Sequence, residues 1–347
     1  MKKTIIKLFI LLLAVIVVAS YFILGKIFIP PKGNFSKEPI EVKIRPGLSL
    51  KAIADTLQKK SIIEKSKDFI FANKIFNNVN RLKAGKYDIP LGLSVYKVMK
   101  IIVDGRTSNI RVVIQEGLTS YQIASIMRKK VEIDSTKFIK FVSDTSFINK
   151  LNIKSNSLEG YLFPDTYYFH WGITEKDIIK ILVKQFNRNF SDSLKTVAKD
   201  KGWTIQQILT IASIIEGEAL IDSERAIISS VYHNRLKKRM LLQADPTIQY
   251  LIPDGPRRLL NRDLKIDSPY NTYLYPGLPP GPVNNPGKNS IVAAIYPAKT
   301  DYLYFVAKGD GSHIFRKTLS QHLIAKKKFD AYRRKIRKQQ RLNETKR

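Results

Sequence analysis

The chain of 347 residues has no cysteine, four histidines and two tryptophans, and its 29 acidic residues face 60 lysines and arginines. Without cysteine there are no disulfides, thiol nucleophiles, iron–sulfur clusters or cysteine-containing zinc sites. So few histidines make a metal enzyme a poor expectation, and neither a metal nor a cofactor is expected. The shortage of acids leaves a formal charge of +31, a balance that ordinarily points to nucleic acid. What is present argues otherwise, and no nucleic-acid partner is expected. The length allows two or three domains with buried cores, and 44% hydrophobic residues exclude disorder throughout.

Leu8 to Gly25, LFILLLAVIVVASYFILG, is uncharged and bracketed by Lys7 and Lys26. At a helical rise of about 1.5 Å per residue the run spans roughly 27 Å, close to bilayer hydrocarbon thickness. A cleaved signal peptide shares the basic start Lys2, Lys3, Lys7. Yet the small stretch Val18-Ala19-Ser20 is followed by apolar Tyr21-Phe22-Ile23-Leu24 where a cleaved peptide turns polar. An uncleaved anchor is therefore expected. Lysines at both ends give a weak preference for a cytoplasmic N-terminus, and long domains translocate largely regardless of charge.

After the linker Pro30-Pro31-Lys32-Gly33-Asn34 a strand, a Gly-Leu-Ser/Thr turn and an amphipathic helix recur. Val42, Ile44, Gly47-Leu48-Ser49 and Ile53-Ala54 reappear 70 residues later as Val112, Ile114, Gly117-Leu118-Thr119 and Ile123-Ala124. Shorter echoes run from Tyr87 to Gly92-Leu93-Ser94 and from Tyr168 to Gly172-Ile173-Thr174. Glycine lets the strand turn, the hydroxyl caps the helix amides, and the isoleucine starts the buried face. Residues 38–106 resemble the LysM-like module associated with cell-wall glycan, although a purely structural strand–helix unit fits equally. The tail, Lys326 to Arg347, carries 11 basic and two acidic residues. It reads as a solvated charged helix or as a segment drawn to anionic headgroups.

Trp203 to Leu220 reads WTIQQILTIASIIEGEAL. Thr204 and Gln207 make a capping box, with Trp203 and Ile208 as its hydrophobic staple, which predicts a helix from Ile205. Ile205, Ile208, Leu209, Ala212 and Ile215 share one face, and Glu216 falls at the end of that apolar stripe. Desolvation there disfavours the charged form, as a proton-donating carboxylic acid requires. The alternative is a helix ending at Gly217 with Glu216 in a solvated last turn. Glu218 points to nearly the opposite face.

Further on come Val231 to Leu236 at the close of a second helix, then Leu242-Gln243-Ala244-Asp245-Pro246-Thr247, Ser268-Pro269-Tyr270-Asn271-Thr272-Tyr273 and Gly277-Leu278-Pro279-Pro280-Gly281-Pro282-Val283-Asn284-Asn285-Pro286-Gly287. Such proline and glycine density fixes a loop in one conformation, as in a preorganised cleft. With Ala293 to Ala298, Tyr302 to Val306 and Gly311 to Phe315, these segments resemble the endolytic murein transglycosylase family (MltG, YceG-like) from the anchor to about His322.

The resemblance implies an α+β fold: cytoplasmic start and transmembrane helix 1–28, linker 29–37, LysM-like module 38–106, a larger mixed catalytic domain 107–325 and basic tail 326–347. It also implies cleavage of the β-1,4 link between N-acetylmuramic acid and N-acetylglucosamine inside nascent strands, with 1,6-anhydro ends and an end to glycan elongation. The expected partners are glycan strands, the cytoplasmic membrane and peptidoglycan synthases, with a single-pass chain whose body lies on the outer face.

The family's catalytic glutamate falls on Glu216, and Glu218 belongs to the same motif. Gly217 stands where the family often has Lys or Arg, which leaves the helix end open. Asp245 is a second candidate carboxylate or a turn residue. Gln243, Thr247, Tyr270, Asn271, Tyr273 and Asn285 are candidate glycan contacts or loop-structural residues. His313 is a candidate contact, and no metal-ligand spacing links it to His233 or His322. The competing readings are a hydrolase of the same bond and a non-enzymatic glycan-binding scaffold.

Overall fold

The computed structural model describes residues 24–33, 35, 36, 38–45, 47–105, 109–253 and 255–344, with side chains as far as Arg334. The expected span Leu8–Gly25 lies outside these residues except for Leu24 and Gly25. Among the described residues no helix is long and apolar enough to cross a membrane.

Among the described residues the architecture is α+β, with three two-stranded sheets among many helices. The chain divides into two compact units. The first contains the described residues up to Arg111 with Lys130–Glu132 and Tyr168–Ile173; the second contains Val112–Lys129, Ile133–Tyr167 and the chain from Thr174.

In the first unit, β1 (Ile40–Ile44), helices Leu50–Lys59 and Ser66–Ile75, and β2 (Gly85–Ile89) follow in order, and then helix Val95–Asp104. β1 and β2 are antiparallel, with Val42 opposite Tyr87 and Ile40 opposite Ile89. The period of two puts Val42, Ile44, Tyr87 and Ile89 on one face, all buried against Ile53, Leu57, Phe69 and Val98. The Tyr87 hydroxyl, taken into this core, donates to the Lys83 carbonyl at 2.7 Å.

The 70-residue repeat is visible as geometry. Gly47 and Gly117 have φ of 81° and 77°. The hydroxyl of Ser49 accepts from Ala52 N at 3.2 Å, that of Thr119 from Gln122 N at 3.3 Å, and Ser94 and Thr174 cap their helices in the same way. Turn and cap form one local device that restarts a helix after each strand.

The second unit is organised around the helix Ile205–Glu218, which packs on the helices Arg225–Lys237, Asp245–Leu251 and Lys288–Ile295. Both bonds of the capping box are present. The expected amphipathic stripe is corrected: every residue from Ile208 to Ile215 is buried, Thr210 and Ser213 included, so the helix is a core element on all sides. It also passes through Gly217 and ends at Glu218. β3 (Tyr304–Ala307) and β4 (His313–Arg316) pair antiparallel, and the helix Leu319–Glu344 takes in much of the basic tail.

The loop Gly281–Gly287 is buried throughout, so its polar groups need partners inside the protein. Gln206 Nε2 donates to the Pro280 carbonyl at 2.8 Å, Ser213 Oγ accepts from Val283 N at 3.0 Å, and the Ser213 carbonyl accepts from Asn284 Nδ2 at 2.8 Å. Ser213 Oγ also donates to the Thr210 carbonyl at 2.8 Å. The loop is thus splinted along one side of the helix. Replacing Ser213 by Ala orphans the buried Val283 N–H, and we expect a loss of about 1–3 kcal/mol in denaturant unfolding.

Candidate active site

Glu216 lies one turn beyond the last bond of this splint. Its side chain is 5% exposed, but its surroundings are charged and not the apolar pocket that helix periodicity suggests. Arg225 NH1 donates to Oε1 at 3.0 Å and the Gly287 N–H to Oε2 at 2.9 Å. Arg225, itself buried, is fixed in turn by Asp222 at 2.7 Å and by the Ser290 hydroxyl. Burial lowers the Arg225 pKa, while the bonds from Asp222 and Glu216 outweigh it and leave the group above its ordinary value.

A second carboxylate stands beside the pair. Glu116, half exposed, has Oε2 4.0 Å from Arg225 NH2. Burial and the charge of Glu216 push the Glu116 carboxyl above its usual range, against the opposing pull of Arg225. A Cβ at position 287 would fall 1.8 Å from Glu116 Oε1, so only glycine permits this approach. Gly217 has a similar reason: a Cβ there would lie 2.6 Å from Pro246.

Glu218 serves a separate cluster. It accepts from the Tyr232 hydroxyl at 2.9 Å and from the backbone N–H of Asp245. Burial first, and then the charge of Asp245, raise the Glu218 carboxyl to about 7. The exposed Asp245 accepts from the Tyr273 hydroxyl at 2.5 Å. The structure therefore brings Glu218, Asp245 and Tyr273 together, two residues along the helix from Glu216.

Several other expected contacts are consumed inside the protein. Asn271 is fully buried, donating to the Leu264 and Ile266 carbonyls and accepting from Tyr273 N. Thr247, also fully buried, donates to the Ala244 carbonyl and meets the Thr272 hydroxyl at 2.9 Å. Asn285 is fully buried within a lattice of backbone bonds. His313 Nδ1 lies 2.8 Å from Glu224, which ties the β3–β4 hairpin to the turn before Arg225.

Gln243 and Tyr270 remain available. Gln243 is exposed at a φ of 49°, in the sparsely populated left-handed region often found at functional sites. Tyr270, half-buried, has its ring 5.1 Å from that of Tyr250. No group of three or more histidine or acidic side chains suited to a metal ion occurs among the described residues.

Sequence reasoning missed Arg225, Glu116 and Gly287 as site residues. One signal for Glu116 existed: it occupies the repeat position held by Pro46 70 residues earlier. Arg225 follows Asp222-Ser223-Glu224, which reads only as the start of a helix.

An α+β protein with a buried carboxylate at a helix end, gripped by arginine and flanked by a second acid, defines a class of candidate acid–base enzymes. The particular family follows from comparison. Residues 42–328 match the model described as the YceG-like family, and the chain belongs to it. An endolytic murein transglycosylase of Bacillus subtilis strain 168 is 37% identical over 331 residues, which covers 90% of this chain and 91% of that protein. One of Streptococcus pneumoniae strain D39 is 32% identical over 303 residues, 78% of this chain but 55% of that longer protein. The crystal structure of a YceG-like protein from Listeria monocytogenes superposes with a TM-score of 0.58 at 36% identity, covering 83% of this chain and 98% of that one.

The Glu218 site makes a prediction about pH. Its folded pKa of about 7 exceeds the ordinary 4.5, so the folded state holds this proton more tightly than the unfolded chain between those values. Its contribution to stability is fully present below the unfolded pKa and is lost as pH rises through about 7. Glu218→Gln removes the group, so the melting temperature of the variant relative to wild type should climb between about pH 5 and pH 8. Parallel melting curves would contradict the burial.

Proposed function

We propose that this chain is an endolytic murein transglycosylase, cleaving the β-1,4 bond between N-acetylmuramic acid and N-acetylglucosamine within glycan strands and leaving 1,6-anhydromuramyl ends. The observation that carries the reading is the Glu216 carboxylate, fixed by Arg225 and the Gly287 N–H at the exit of a rigid buried helix. Such preorganisation is what one group needs if it is both to give and to take a proton.

In this mechanism Glu216 starts protonated and donates to the bridging oxygen as the bond to the muramyl C1 breaks and positive charge develops on that sugar. The resulting carboxylate is the form that Arg225 and the Gly287 amide stabilise. The muramyl C6 hydroxyl then attacks C1 and yields its proton to Glu216, which regenerates the acid. Intramolecular capture needs no activated water. Glu116 supplies negative charge on the other side of Arg225, which helps to keep a proton within the cluster.

Glu116 also favours one other reading, a hydrolase of the same bond, because hydrolases normally use two carboxylates. Mass analysis of glycan fragments decides, since anhydro ends are lighter than reducing ends by one water. We expect anhydro ends, a loss of about 10²-fold or more in rate for Glu216→Gln, and anhydro products still formed by Glu116→Gln. Reducing ends alone would establish the hydrolase, and cleavage retained in Glu216→Gln would remove that residue from the mechanism.

The anchor and the glycan-binding module belong to the same proposal. The uncharged run Leu8–Gly25 between lysines supports a single span in the cytoplasmic membrane with the body outside. The strand–helix–helix–strand order of residues 40–89 supports the LysM-like reading. Held there, the enzyme would cut strands as synthases extend them and end their growth. Protease added outside spheroplasts should digest the body and spare the N-terminus, whereas a body protected until lysis would reverse the topology.

A further inference from the structure

Glu159 is 3% exposed and has no part in the chemistry above. It lies in the stretch Leu158-Glu159-Gly160-Tyr161-Leu162-Phe163, all of it buried. Ser120 N donates to both of its oxygens, at 3.0 and 3.2 Å, and Asn285 Nδ2 donates to Oε1 at 2.7 Å.

Asn285 extends this contact in both directions. Its second amide hydrogen goes to the Leu118 carbonyl at 3.0 Å, and its Oδ1 accepts from Gly160 N and Leu162 N, both at 2.9 Å. Its backbone N donates to the Leu118 carbonyl at 2.9 Å, and its carbonyl accepts from Gly117 N at 3.0 Å. The two stretches joined in this way flank Glu216. A Cβ at Gly117 would lie 3.6 Å from Glu216 Cγ, Glu116 shares Arg225 with Glu216, and Gly287, two residues after Asn285, donates to its Oε2.

We infer that Glu159 is a positioning residue for the reaction: acting through Asn285, it locks the backbone stretches Glu116–Ser120 and Asn285–Gly287 against the acid/base Glu216. The inference rests on the reading of Glu216 as that acid/base. A neutral glutamine would avoid the cost of burying a carboxyl, which here is pushed up to about 7 despite three donated hydrogen bonds. A glutamine, however, would turn an amide towards Ser120 N at the Oε2 position. Only a carboxylate accepts from Ser120 N with both oxygens while Oε1 also accepts from Asn285, and that is the structural reason for a glutamate here.

The test uses the full chain and a reversal of donor and acceptor. In Asn285→Asp an oxygen replaces Nδ2 and faces Glu159 Oε1 and the Leu118 carbonyl, so the lock is broken. In the double variant Asn285→Asp/Glu159→Gln the new amide donates to the new carboxylate and remakes the central bond.

We expect kcat to fall about 100-fold in Asn285→Asp with KM changed less than about twofold, and to return to within about tenfold of wild type in the double variant. Melting curves check that each variant is folded. If Asn285→Asp does not fold, Glu159→Gln alone decides, with an expected loss of about tenfold in kcat at unchanged KM. A wild-type kcat in folded Asn285→Asp, a double variant no better than the single, or, in the fallback, a wild-type kcat in Glu159→Gln would overturn the proposal. Glu216→Gln, assayed alongside, separates the two ideas: cleavage retained there overturns the acid/base reading, while the swap result bears on the lock.

Discussion

The Ile205–Glu218 helix is buried from Ile208 to Ile215, so its hydrophilic atoms are satisfied within the helix and by the loop that covers it. Thr210 turns its hydroxyl back onto the Gln206 carbonyl, and Ser213 is bonded by the loop residues Val283 and Asn284. The buried Val283 N–H needs the Ser213 hydroxyl as its acceptor, so the loop runs along the helix, and four residues on the Gly287 amide arrives at Glu216. The same constraint puts Glu216 at the first position where the helix leaves the core. There a carboxylate is held rigid at the edge of the core. The prolines of residues 277–287 lower the entropy cost of holding this path, and buried Pro279 and Pro282 contribute no N–H that would need a partner.

How much of this was legible depends on the range of the interaction. The capping box at Thr204 and Gln207, the repeated turn-and-cap units and the placement of Glu216 on the helix all follow from contacts between residues a few positions apart. All-round burial of the helix was not legible. Periodicity reports which residues are apolar, whereas Thr210 and Ser213 are buried with their hydroxyls satisfied, and the Ser213 hydroxyl and carbonyl meet residues 70 and 71 positions away. The same limit hid the role of Asn285. Its amide looked suited to sugar hydroxyls, but its partners Glu159, Gly160 and Leu162 come from a segment more than 120 positions distant. A short polar motif in a Pro/Gly-rich loop cannot reveal by itself whether its amides face outward to a ligand or inward to the chain.

The charge distribution is the last point at which local and global pictures diverge. Across the chain basic residues outnumber acidic ones about two to one. Around Arg225 the balance is reversed, since Glu216, Asp222 and Glu116 all lie within 4.0 Å of one guanidinium. One cation cannot neutralise three carboxylates, so the cluster favours keeping a proton, and the upward push on Glu116 expresses this. Asp222, exposed, accepts from the guanidinium Nε and stays below its usual range, so it serves to aim Arg225 and is poorly suited to carry the proton. Glu116 and Glu216 differ in their partners. Of these, Glu216 has the Gly287 amide and the better-aligned arginine nitrogen, while Glu116 is the more exposed. An acid that must release and recover a proton within one turnover benefits from this arrangement. Its conjugate base is met by donors already in place, the Arg225 guanidinium and the Gly287 amide, so nothing has to reorganise as the proton leaves and returns.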